Sequence, residues 1–135
     1  MQTLSPEMFW LVLTILMPAL FWIPYILMQL VEVGPWKAVT APQNDPQLRT
    51  DWAARCKRAH TNAVENLVVF APLVIALQFA GISTALTAGA CGTYFFARLA
   101  HYVIYALGVP VLRTITFAIG VAVQIVLALT LLGAM

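Results

Sequence analysis

The chain has 135 residues, of which 62% are hydrophobic and only 9% charged, with a formal net charge of +2. Such a balance does not suit a soluble domain of this length, and the small positive charge gives no footprint for nucleic acid. It predicts an integral membrane protein of the all-α class.

Four stretches reach the roughly 20 apolar residues needed to cross a bilayer core. In chain order they are Phe9–Val31, Ala63–Gly81, Ala85–Leu107 and Ile115–Leu132. They fill the chain, so residues 1–135 read as one membrane domain with no room for a soluble one. The first stretch lacks a basic leader and a small-residue cleavage site, so it reads as a retained helix with Pro18 and Pro24 inside it. Residues 32–57 read as a long polar loop, irregular from Gly34 to Gln47, where Pro35, Pro42 and Pro46 fall. The turns Gly81–Thr84 and Gly108–Arg113 are short and force antiparallel neighbours. The expected architecture is therefore a four-helix bundle.

Lys37, Arg49, Arg55, Lys57 and Arg58 place five of the seven basic residues in the first loop, and Arg113 lies in the other loop on that side. The positive-inside bias then makes both loops cytoplasmic and puts both termini on the opposite face. Trp10, Trp36 and Trp52 fall near span ends, as interface rings do. Cys56 and Cys91 are expected at different depths and make a poor disulfide pair, and no metal-ligand spacing occurs. The third span carries small residues four apart at Ala85/Gly89 and Ala88/Gly92, a face that lets another helix approach closely.

Two polar clusters interrupt the apolar runs. In RAHTNAVEN, Arg58, Asn62 and Glu65 recur at i, i+4 and i+7 and share one helical face, with His60 between them. In FFARLAHYVIY, Arg98, His101 and Tyr105 recur at i, i+3 and i+7. The second and third spans run antiparallel, so the two clusters meet at one depth, with Arg98 roughly 15 Å inside the end of its helix. A charge there needs a partner, and a Glu65–Arg98 ion pair is the expected one. Arg113 and Thr114 open the fourth span on the same side. A cleft among these residues would be cationic and rich in donors, which suits an anionic ligand; the same residues could instead serve only to fix helix register.

The strings RAHTNAVEN, RLAHYVIY and PVLRT, in this order across four spans, resemble the MAPEG family of membrane-associated proteins in eicosanoid and glutathione metabolism, in particular its bacterial members. The resemblance covers nearly the whole chain. It implies a homotrimer whose subunits bind glutathione at their interfaces, in the cytoplasmic half of the membrane, while a lipophilic electrophile arrives from lipid. By motif it implies a binding set of Arg58, His60, Asn62, Glu65, Arg98, His101, Tyr105 and Thr114, with Arg113 stabilising the thiolate. The chain departs from the pattern in three places. Its first helix ends MQLVEVGPW without an arginine, Thr61 stands where some members have a basic residue, and Phe117 replaces a fourth-helix tyrosine.

Three functions fit these residues. The first is a glutathione-dependent transferase or peroxidase acting on lipophilic electrophiles, with no nucleic acid or metal involved. The second is a non-catalytic lipid-binding or scaffold member of the same family. The third is a small four-span transporter coupled to protons through Glu65, which is disfavoured because the polar residues crowd one side of the membrane.

Overall fold

The computed structural model describes residues 4–40 and 50–133, and every regular element among them is an α-helix. In chain order these are α1 (Pro6–Phe21), α2 (Ile23–Val33), α3 (Pro35–Thr40), α4 (Asp51–Phe79), α5 (Ala85–Leu107) and α6 (Pro110–Leu131). Helix α5 packs on α6, α4 and α1, whereas α2 touches α4 and α3.

Helix α1 starts where Ser5 accepts from the Met8 amide at 3.3 Å and Pro6 occupies the first turn, a position that needs no N–H. It breaks at Trp22, just before Pro24, whose ring cannot supply the N–H that the Leu20 carbonyl would otherwise accept. Nearby carbonyls find side-chain donors instead. Trp22 Nε1 donates to the Ala19 carbonyl at 2.7 Å, and the Tyr102 hydroxyl donates to the Phe21 carbonyl at 3.0 Å while its ring stacks on Phe21.

Two sequence expectations change at the first loop. Helix α4 starts at Asp51 rather than at Ala63, because Ala53, Cys56, Ala59 and Ala63 form a buried small-residue seam that packs the basic segment as helix. Pro35–Thr40 is likewise helical and not irregular. Arg49, Pro42 and Pro46 lie outside the described residues.

By length and composition, three segments among the described residues are apolar enough to cross a membrane: Pro6–Val33, Asp51–Phe79 and Pro110–Leu131. Helix α5 has 23 residues and the predicted bounds, but Arg98, His101 and its tyrosines interrupt its apolar run and it is not among these three. Large apolar side chains such as Val31, Phe79 and Leu132 are 80–87% exposed, which is the surface of a protein embedded in lipid. This is an integral membrane protein.

Leu11, Phe70, Val74, Leu77, Tyr94, Val123 and Leu127 from α1, α4, α5 and α6 form the main core. It lies toward the end of the bundle opposite the basic segment. At that end Glu7, buried in α1, ties down the α4–α5 turn: its Oε1 accepts from Thr87 Oγ1 at 2.5 Å and its Oε2 from Ser83 Oγ at 2.9 Å. Thr84 and Thr87 complete a capping box that starts α5.

The small-residue face of α5 divides in two. Gly92 lies beneath the Trp10 ring, where an added Cβ would come within 3.1 Å of it. Trp10 is therefore packed among Gly92, Phe95 and Phe96 and is not a simple interface ring. Gly89 has open space beside it and lines a shallow groove of about 510 Å³ between α5 and α6. Cys56 and Cys91 are both buried and free.

Candidate functional site

The start of α4 and the end of α5 meet at one end of the bundle in antiparallel register. Arg55 Nε donates to the Ala106 carbonyl at 2.9 Å, and seven residues further along α4 the Oδ1 of Asn62 accepts from Arg98 Nη2 at 2.5 Å. Seven residues are two helical turns, so Arg55 and Asn62 project from the same face of α4. Helix α6 then begins directly above this seam and brings Arg113 back over α5.

Among the described residues Arg98 is the most deeply buried cation, 2% exposed, and fits because Gly120 on α6 carries no side chain; a Cβ there would lie 3.4 Å from Arg98 Cδ. Its Nε and Nη1 have no hydrogen-bond partner, and the Asn62 contact is neutral. The expected ion pair with Glu65 does not form within the chain. Glu65 lies one turn beyond Asn62 on the exposed side of α4, so the amide and not the carboxylate is within reach of α5. Further into the bundle, Gln124 Nε2 donates to the Asn66 carbonyl at 3.1 Å and approaches the Tyr94 hydroxyl at 3.4 Å, extending a polar line across α4, α5 and α6.

His101 is equally buried. Its Nδ1 lies 3.0 Å from the Arg113 carbonyl and 3.2 Å from Thr116 Oγ1. A carbonyl can only accept, so the first contact requires the hydrogen on Nδ1; in the neutral ring Nε2 is then left with a lone pair, and Nε2 has no partner in the chain. Arg113 places its guanidinium 4.7 Å from the centre of the Tyr105 ring, a cation–π contact that holds it above α5.

Asn62, His101, Tyr105, Arg113, Thr114 and Phe117 line one cavity of about 280 Å³. Five of these six residues belong to the set singled out in the sequence, and Phe117 was noted there as a departure. The remaining members of the set lie elsewhere. Arg98 reaches the cavity only through Asn62, while Arg58 and Glu65 are exposed on the outer face of α4. His60 points to another neighbour, with Nδ1 2.8 Å from the Tyr25 hydroxyl of α2. Its position already implied this, because two residues from Asn62 on a helix is a turn of about 200° away from Asn62's face. Thr116, Tyr25, Gln124 and Arg55 were not singled out for the site; each belongs to an element read only for apolarity or bulk charge.

Donors from three helices thus surround a small cavity, with Arg113 at its edge and the His101 lone pair as an acceptor. The arrangement can hold an anionic group and stabilise negative charge on it. The MAPEG family model matches residues 8–133. The chain belongs to the MAPEG family. No curated relative and no solved structure matches it. Membership agrees with the order of the RAHTNAVEN, RLAHYVIY and PVLRT segments, which bring the site residues to one end of this bundle.

Proposed function

We propose that this MAPEG protein is a glutathione-dependent transferase or peroxidase that acts on lipophilic electrophiles at the membrane. The observation that carries the reading is the convergence of Asn62, His101, Tyr105, Arg113 and Thr114 on one cavity in a chain of this family. On this reading α5 is a fourth crossing between α4 and α6, the site end of the bundle is cytoplasmic, and the working unit is a homotrimer. Arg58 and Glu65, exposed on the outer face of α4, then become available to ligand or to a neighbouring subunit.

The residues fit glutathione by chemistry. Its carboxylates match the Nδ2 donor of Asn62, its thiolate matches the Arg113 guanidinium, and its N–H groups match the lone pair on His101 Nε2. When bound, glutathione supplies a thiol whose deprotonated form is the nucleophile. Arg113 favours the thiolate, releasing the proton to water at the mouth. Lowering a thiol from about 8.5 by two units requires about 2.7 kcal/mol of preferential stabilisation, which is within the reach of one guanidinium in a partly dry cavity. The Tyr105 ring holds that guanidinium in place, and the apolar exterior of the helices concentrates a lipophilic acceptor near it.

The test uses full-length protein in mild detergent. Glutathione should raise the melting temperature, a chlorodinitroarene or a lipid hydroperoxide should be turned over, and both effects should fail with Arg113→Ala and Asn62→Ala combined. Absence of any stabilisation by millimolar glutathione would sink the reading. A non-catalytic lipid-binding role then takes its place, supported by Phe117, which puts an apolar ring into the cavity where the family pattern has a tyrosine.

A further inference from the structure

Helix α5 ends with several carbonyls that have no partner inside the helix, and the structure accounts for three of them. Gly108, at φ +77°, folds the chain back so that its N–H donates to the Tyr105 carbonyl, and the Val109 N–H donates to that of Ile104. The Ala106 carbonyl takes its hydrogen bond from Arg55 Nε on α4. The Arg55 side chain also lies against Gly108: a Cβ on that glycine would sit 3.3 Å from Nε and 3.4 Å from Cζ. Any other residue at Gly108 would therefore strain the turn and push Arg55 away. Arg113 follows five residues later, its N–H donating to the Val109 carbonyl in the first turn of α6. The pitch of that turn sets where the Arg113 guanidinium stands relative to Tyr105 and Asn62.

We propose that Arg55 is a positioning residue for Arg113: by hydrogen-bonding the end of α5 and packing on Gly108, it locks the α5–α6 corner to the helix that carries Asn62. The inference deepens the function proposed above and rests on it for its chemical consequence, but not for the placement itself. Arg55 lines no part of the cavity, so it acts only through the corner. Its positive charge at the carbonyl end of α5 also matches the helix dipole, which favours the clamp over a water-mediated cap.

Two measurements on full-length protein test it. The first needs no ligand: backbone amide exchange across residues 107–117 should rise at least tenfold in Arg55→Met, which keeps the packing stem and removes the donor, while exchange around the far turn at 81–84 stays unchanged. The second follows thiolate absorbance of added glutathione against pH. Arg55→Met should move the midpoint upward by about one unit, with affinity changed less than about threefold, and Arg55→Lys should recover part of the shift. Adding Arg55→Met to Arg113→Ala should change the thiolate no further. Unchanged exchange at 107–117, or losses that multiply in the double variant, overturns the proposal. If the wild type forms no thiolate with glutathione, the functional reading fails, and the exchange measurement alone decides whether Arg55 holds the corner.

Discussion

The Nη2 of Arg98 lies 2.5 Å from the Oδ1 of Asn62, so a buried cation on α5 is held by a neutral amide on α4 and, among the described residues, by no acid. The contact joins the two helices beside the cavity that Asn62 lines. Removing the amide leaves a buried guanidinium with no hydrogen bond at all. Asn62→Ala should cost about 2 kcal/mol of unfolding free energy, in the range for orphaning a buried polar group. Arg98→Leu with Asn62→Ala should cost clearly less than the sum of the single changes. Denaturant titration in mixed micelles measures the cycle. Glu65→Gln, on the exposed face, should cost less than about 0.5 kcal/mol in the monomeric state, as surface substitutions do. A Glu65 effect equal to that of Asn62 would mean that the carboxylate, not the amide, supports Arg98.

At the other end of the bundle, Glu7 binds two hydroxyls of the α4–α5 turn. Glu7→Ala should destabilise by about 2–3 kcal/mol, because Thr87 and Ser83 lose a charged acceptor in a buried place. Glu7→Gln should lose less, since the amide oxygen still accepts one bond. Unfolding midpoints in the same micelles provide the comparison, and equal losses for the two variants would show that charge and hydrogen bonding matter less there than volume.

Gly92 and Gly89 look alike in the sequence and differ in the fold. A methyl at Gly92 meets the Trp10 ring at 3.1–3.3 Å, whereas a methyl at Gly89 meets nothing within 4 Å. Gly92→Ala should therefore destabilise by about 1–3 kcal/mol through overpacking. Gly89→Ala should be neutral or slightly stabilising, given the better helix propensity of alanine. Melting curves of the two variants should separate them, and a loss at Gly89 as large as at Gly92 would show that another helix covers the groove in the assembled protein.

These cases show what the sequence carried and where it stopped. The bounds of α5 were legible because Thr84 and Gly108 are strong local signals, a cap and a left-handed turn. The start of α4 was not, because from Asp51 to Asn62 charged residues mask the apolar period; the seam of Ala53, Cys56, Ala59 and Ala63 is made of small side chains that weigh little in hydropathy. The break at Trp22 was half legible. Pro24 marks it, but the Tyr102 hydroxyl and the stack on Phe21 come from a helix far along the chain. Within the site, helical spacing and the antiparallel order of the spans pointed to Asn62, His101 and Tyr105, the loop position pointed to Arg113, and Thr114 came only with the family resemblance. Spacing alone could not assign partners: whether Arg98 meets Asn62 or Glu65 depends on the rotation of α4 about its own axis, which the seam and the Arg55 contact set.

The central claim is that Arg113, held over Tyr105 at the edge of the cavity, stabilises a bound thiolate. The most direct measurement is the ultraviolet thiolate absorbance of glutathione bound to the full-length protein at neutral pH, for wild type, Arg113→Lys and Arg113→Ala. The account predicts strong absorbance in the wild type, an intermediate value with lysine, which keeps the charge but not the planar fork, and loss of most of it with alanine while much of the glutathione affinity remains. Wild-type thiolate absorbance that Arg113→Ala leaves unchanged would contradict it.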